Sequence, residues 1–267
     1  MGYGNGPALV TWWVDRHLDL TPEQSTKVRA ALDQGFAWHR SQRLSQDLGL
    51  MARFEREVQG DVTSAQVCAW VPIAQSWGDT VLAQLGPAIA SIAPTLQAQQ
   101  LSHLEERMTR GNDDWVHDHL QAEPAERVQG QLDRLVSNLE TLYGRVEKRQ
   151  KEALRVALAR SVWDPDQALV ERKAHQQDTL SVLRQLSQGR TTLTPEASQA
   201  LVRAWLMRQT NPGDEAERRR RSAFVAERCQ LVADFHRTTT SEQRRHAGET
   251  LAGWQDDLRS FVISAGR

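Results

Sequence analysis

The sequence predicts an all-α fold of about eight or nine amphipathic helices, some long, in an extended or open multi-helix arrangement. Three observations carry this expectation. Apolar residues recur at spacings of three and four almost throughout, whereas strand-like alternation is nowhere convincing. Glycine and proline fall at intervals that suit helix ends. The composition is polar for a compact globule, with 39% hydrophobic and 25% charged residues and a mean hydropathy of -0.58, which favours helices that keep much of their surface in water.

The clearest apolar stripes are Val128, Leu132, Leu135, Leu139, Leu142 and Val146, then Ala247, Leu251, Trp254, Leu258 and Phe261. Each set falls on one helical face and leaves Arg, Glu, Asp and Gln on the other. Helix ends are expected at Gly60-Asp61, Gly86-Pro87, Ala93-Pro94, Gly111-Asn112, Glu123-Pro124, Asp164-Pro165, Gly189 and Asn211-Pro212-Gly213. No flexible linker or low-complexity segment separates them. Residues 1–267 therefore read as one helical domain, with a possible subdivision near 163–165.

The most informative local pattern is a repeated helix start. In Leu20-Thr21-Pro22-Glu23-Gln24, the Thr oxygen can accept from the amide three residues on, and the Gln side chain can return to the Thr amide. Proline at the first helical position and Glu beside it suit the positive helix end. Related strings are Thr63-Ser64-Ala65-Gln66, Leu193-Thr194-Pro195-Glu196 and Thr240-Ser241-Glu242-Gln243, with a degenerate copy at Ala93-Pro94-Thr95-Leu96-Gln97. Thr21, Gln24, Thr63, Gln66, Thr194, Thr240 and Gln243 are thus the expected capping residues. A tryptophan follows the four better copies, Trp38, Trp77, Trp205 and Trp254, at 17, 14, 11 and 14 residues from the capping Thr. Nine Trp against two Tyr and five Phe suit large anchors in a thin helical stack. These four are also the candidate interaction aromatics, should they line an exposed groove.

These strings resemble a known family. Tyr3-Gly4-Asn5, Trp12-Trp13-Val14-Asp15-Arg16, Asp19 to Gln24 and Ala37-Trp38-His39-Arg40 look like the mature start of an uncharacterised family of bacterial lipoproteins, catalogued as a domain of unknown function. The run Gln99 to Asp114, with Leu104-Glu105-Glu106-Arg107 and Asn112-Asp113-Asp114, and the segment Thr240 to Leu258 fit the same pattern. The resemblance implies a signal peptide and an acylated cysteine ahead of the matching segment, hence a periplasmic protein tethered to the outer membrane. More distantly, the repeated cap is similar to the LTxxQ motif of Spy/CpxP-type periplasmic proteins, which implies a chaperone-like role.

No leader is visible in the chain itself, and Met1-Gly2-Tyr3 reads as a start that replaces one. The longest apolar candidate, residues 67–93, is interrupted by Pro72, Gln75, Asp79, Gln84 and Pro87, so no span is expected. Any membrane association is expected only through an inferred N-terminal lipid. Cys68 and Cys229 have no metal-ligand spacing; they pair across the fold in an oxidising compartment or stay free and buried.

Reactive chemistry finds little footing. Asp114, His117 and Asp118 share a helical face beside Asp113 and His119 and form the candidate divalent-metal set, against which stands a plain solvated face near Trp115. Asp15, His17 and Asp19 form a lesser set. No nucleophile elbow occurs, and Cys68 lacks a basic neighbour that would favour its thiolate. Gly2-Tyr3-Gly4-Asn5-Gly6 follows no strand, so a phosphate cradle is not expected. Glu105-Glu106 and Asp256-Asp257 are adjacent and diverge on a helix. Arg218 to Arg221 is a strong basic run, but acidic residues surround it and the net charge is -1, so nucleic acid is not the expected partner.

The expected function is therefore non-enzymatic and cofactor-free: a protein-interaction or chaperone-like protein acting on a protein partner or client. The alternatives are a binder of a small apolar ligand or lipid between helices, and a metal-binding protein.

Overall fold

A computed structural model describes residues 3–121, 123–211 and 213–264. Met1, Gly2 and Pro212, all used in the sequence reading, lie outside these. Every regular element among the described residues is helical: α1 (Gly6–Leu18), α2 (Pro22–Trp38), α3 (Leu44–Gln59), α4 (Ser64–Cys68), α5 (Trp70–Ile92), α6 (Ala98–Val116), α7 (Pro124–Tyr143), α8 (Lys148–Leu158), α9 (Pro165–Gln188), α10 (Pro195–Thr210), α11 (Glu215–Arg237) and α12 (Ser241–Ser264). A π segment (His39–Arg43) joins α2 to α3, and one residue separates α4 from α5. Counted as continuous rods, these make ten helices, more than the eight or nine expected.

The chain divides into two compact units, each assembled from three segments. The first comprises Met1–Trp38, Ala74–Val116 and Pro165–Arg218; the second comprises His39–Ile73, His117–Asp164 and Arg219–Arg267. Each has its own core. In the first, Leu101 and Leu104 of α6 meet Leu180, Leu183 and Leu186 of α9, and Val202 and Leu206 of α10 close the cluster. In the second, Val58 of α3, Leu132 and Val136 of α7, Leu154 and Leu158 of α8, Leu231 and Phe235 of α11, and Ala247 and Leu251 of α12 pack together.

Two predicted breaks are not breaks. Gly86-Pro87 lies inside α5, although proline removes a helical donor there. Gly86 is buried and its bare backbone faces Leu206 and Val202, so packing against α10 offsets the lost hydrogen bond. Gly111-Asn112 lies inside α6. A guanidinium nitrogen of Arg172 sits 3.3 Å from where a Gly111 Cβ would be, and Asn112 bonds both Gln176 and Arg172 of α9. Tertiary contacts thus override weak local propensity.

One real break went unpredicted. α7 ends at Gly144, whose φ of +71° is left-handed, and Val146 falls in the turn instead of on the α7 stripe. It is nevertheless buried in the second core. On α12 the buried stripe runs through Gln243, Ala247, Leu251 and Gln255, one residue away from the predicted Trp254.

Candidate functional site

Thr21, Thr63, Thr194 and Thr240 each cap a helix start, and two of these starts do more than cap. Thr21 Oγ1 accepts from the Gln24 amide at 3.3 Å, while the Thr21 amide donates to Gln24 Oε1 at 2.9 Å. The remaining Gln24 amide hydrogens then turn inward. Gln24 Nε2 donates to the Thr95 carbonyl at 2.9 Å and to Gln100 Oε1 at 3.1 Å. Gln100 Nε2 returns the bond to Gln24 Oε1 at 2.8 Å and also reaches the Asp19 carbonyl at 2.8 Å.

The second unit repeats this clasp with different residues. Gln150 and Gln243 exchange amide hydrogen bonds at 3.0 Å in each direction. Gln150 Nε2 also donates to the Thr238 carbonyl at 3.0 Å, and Gln243 Nε2 to the Arg145 carbonyl at 2.8 Å. Each clasp therefore joins two helix starts to the two turns that precede them: α2 with α6, and α8 with α12. All four glutamines are buried.

Thr240-Gln243 supplies one half of the second clasp, as a capping pair. The degenerate copy is corrected: Ala93–Thr95 is a 3-10 turn, and the cap is Gln97, whose amide donates to Gln100 Oε1 at 2.9 Å. Glu147 caps α8, and its amide donates to Gln150 Oε1 at 2.8 Å. Thr63-Gln66 is a complete capping box but an exposed one, and Thr194 caps Ala197 alone at 3.2 Å. Those two copies join no clasp.

The tryptophans are less buried than an anchoring role requires. None of the nine is fully buried. Trp205 packs on the first core and donates to Thr179 Oγ1 at 3.2 Å, and Trp38 is half-buried at the end of α2. Trp77 and Trp254 are each 43% exposed. Trp70, not singled out from sequence, donates to Glu57 Oε2 at 2.7 Å under the Arg53 guanidinium. Arg53 and then this indole hold the Glu57 carboxyl below its ordinary range.

Cys68 and Cys229 form a disulfide within the second unit, a question the sequence left open. In the same unit, His236 is buried between Tyr143 and Gly60. A carbonyl only accepts, so the 2.7 Å contact to the Gly60 oxygen places the ring proton on Nε2, and Nδ1 accepts from the Tyr143 hydroxyl at 2.9 Å. Burial lowers the His236 pKa and pushes the Tyr143 phenol up to about 12.

The polar clusters are used locally. Asp15 Oδ1 accepts from the Leu20 amide, His17 Nδ1 contacts the Trp13 carbonyl, and Asp19 takes a left-handed φ of 48° after α1. Asp114 ends within α6, whereas His117 and Asp118 begin a π segment (His117–Gln121), so ideal helical spacing does not carry across. No trio of His, Cys, Asp or Glu that could hold a metal ion occurs among the described residues. His119 meets Trp163 edge-on at 5.3 Å, and burial lowers its pKa. In the basic run, Arg218 pairs with Glu215 at 2.5 Å, and Glu217 faces His175 at 3.4 Å.

The site that sequence reasoning missed is a groove between α8 and α11. Ala153, Leu154, Ala157, Leu231 and Phe235 form its apolar floor, and Glu227, Gln230, Asp234 and Arg237 form its rim, around a volume of about 540 Å³. Its signal in the sequence was the small-residue pair Ala153 and Ala157, four apart on one face of α8, which leaves room above that helix.

A family model matches residues 16–197, about two thirds of the chain. The chain belongs to DUF6279, a family of unknown function. Neither the curated proteins nor the solved structures contain a match. The DUF6279 match covers the whole first clasp and the Glu147-Gln150 half of the second. No helix among the described residues is long and apolar enough to cross a membrane.

Proposed function

We propose that this DUF6279 protein is a non-catalytic binding protein of the bacterial periplasm, tethered to the outer membrane by an N-terminal lipid and acting on protein clients in a chaperone-like manner. The groove between α8 and α11 carries the reading. An apolar floor with a charged rim suits an amphipathic or extended client segment, which lays its apolar side chains on the floor and keeps its polar ones in water. The Cys68–Cys229 disulfide supports an oxidising compartment. The family resemblance supports the tether, and the repeated Gln-closed helix starts support the distant likeness to LTxxQ proteins.

The groove also has the volume of a small-molecule pocket, which favours the second reading, an apolar ligand or lipid. No tryptophan lines it, so that ligand would be held by aliphatic contacts and Phe235, not by indoles.

Filling the floor separates binding from folding. Ala157→Trp should abolish suppression of client aggregation, followed by light scattering, while leaving the thermal midpoint nearly unchanged. Protection undiminished by Ala157→Trp, or no protection by the native chain across several unfolding clients, would end the client-binding proposal. A single small apolar species released in native mass spectrometry would transfer the groove to the second reading.

A further inference from the structure

The outer face of α1 belongs to none of the surfaces above. At about 100° per residue, Trp12, Arg16, Leu9, Trp13, His17 and Val10 follow one another around about 160° of the helix. Leu9, Trp12 and Trp13 are 58%, 57% and 56% exposed, and Val10 is 38% exposed. The opposite side is committed to the protein, because α1 packs against α2 and α6.

Two large indoles on one exposed helix face are unfavourable unless something covers them. The chemistry of the arc selects the cover. Neither indole N–H has an acceptor among the described residues, so each ring presents an apolar body and an unsatisfied donor. The Arg16 guanidinium lies 5.5 Å from the Trp12 ring centroid and has no carboxylate partner among the described residues. Asp15 lies at the flank of the arc, where its Oδ1 accepts from the Leu20 amide and its carboxylate stays exposed. On α2, Lys27 pairs with Glu23, and Arg29 with Asp33. The arc is thus aliphatic and aromatic over its first two turns and cationic over its last, with no acid on it.

We propose that this face of α1 seats directly in the headgroup region of a phospholipid surface, independently of any covalent lipid. Leu9 and Val10 enter the acyl boundary, and the indoles lie at the interface with their N–H groups toward ester and phosphate oxygens. Arg16 extends to a lipid phosphate while its stem lies on Trp12. A protein partner is the less suitable occupant: Trp and Arg anchors of protein interfaces work within well-packed pockets, whereas this arc is a convex helix surface.

Flotation of the purified, unacylated chain with phosphatidylcholine vesicles, and with vesicles enriched in phosphatidylglycerol, tests this. The chain should float with both and favour the anionic ones at low salt. The double change Trp12→Ser and Trp13→Ser should weaken partition by at least about tenfold. Arg16→Gln should remove only the anionic preference. Because changes in α1 can disturb folding, brominated-acyl phospholipids should also quench part of the emission of the unaltered chain. No flotation and no quenching overturns the proposal, as does flotation that survives the double change in a folded protein. Self-association that depends on Trp12 and Trp13 without vesicle binding would also overturn it, and would assign the face to a second copy. Client-binding assays play no part here, so this result and that of the groove are independent.

Discussion

Gln150 and Gln243 exchange hydrogen bonds: each side-chain carbonyl accepts from the other's amide at 3.0 Å, 93 residues apart in sequence. Each oxygen also accepts the backbone amide that starts its own helix. Truncating one glutamine therefore strands buried polar groups on the other, and the cost is the desolvation of groups left unpaired. We expect Gln150→Ala or Gln243→Ala to cost about 2–4 kcal/mol each. The double variant should cost clearly less than the sum, since the stranded partner is then gone. Denaturant titrations of the three variants measure this; strict additivity would show that the exchange is not coupled.

The same logic separates the two kinds of helix start. Thr63→Ala removes an exposed cap and should cost about 1 kcal/mol, whereas Gln24→Ala opens the first clasp and should cost about 2–4 kcal/mol. Equal losses in thermal melts would mean that the clasp adds nothing to ordinary capping.

His236 gives the stability a pH dependence of known sign. Its folded pKa is lowered by burial, so the unfolded chain takes up a proton first on acidification. Its contribution is intact above the ordinary imidazole value of about 6.5 and is lost as pH falls from there toward the lower folded value. We expect His236→Gln to flatten the fall in denaturation midpoint over that window. An unchanged slope would show that other groups dominate it.

Reduction of Cys68–Cys229, whose residues lie 161 apart, frees a long loop in the unfolded chain. The chain-entropy relation gives about 5 kcal/mol, at the upper end for a native bond. Thermal melts with and without reductant should differ accordingly, and Cys68→Ser should abolish the difference.

Two glycines offer the opposite sign. Gly78 and Gly253 lie inside helices α5 and α12 with open space where a side chain would project. Alanine at either should add about 0.4–1 kcal/mol. Gly144→Ala should instead destabilise, because its φ is +71° and His246 lies 3.2 Å from the added carbon.

Helix content was legible in the sequence because three- and four-residue spacing and capping chemistry are local. The clasps were only half legible. Thr21 and Thr240 drew attention to Gln24 and Gln243, but Gln100 and Gln150 follow Gln97 and Glu147, which are poor caps by residue preference. The shared signal was a glutamine three residues past a polar helix start, not the threonine. Gly86 and Gly111 read as breaks because the helices that hold them, α10 and α9, are brought close only by tertiary packing. Trp254 read as core because a one-residue shift of the stripe to Gln255, 1% exposed, buries an amide that donates to Glu55. The groove between α8 and α11 depends on the distance between two helices about 70 residues apart, which periodicity does not encode.

The threefold segmentation of each unit bears on synthesis. A nascent chain emerges from its N-terminal side, yet the first unit lacks its complete third segment until Arg218 has emerged, and the second needs residues beyond it. Neither core can close early, so any truncation well before Arg218 should yield protease-sensitive fragments with no folded half.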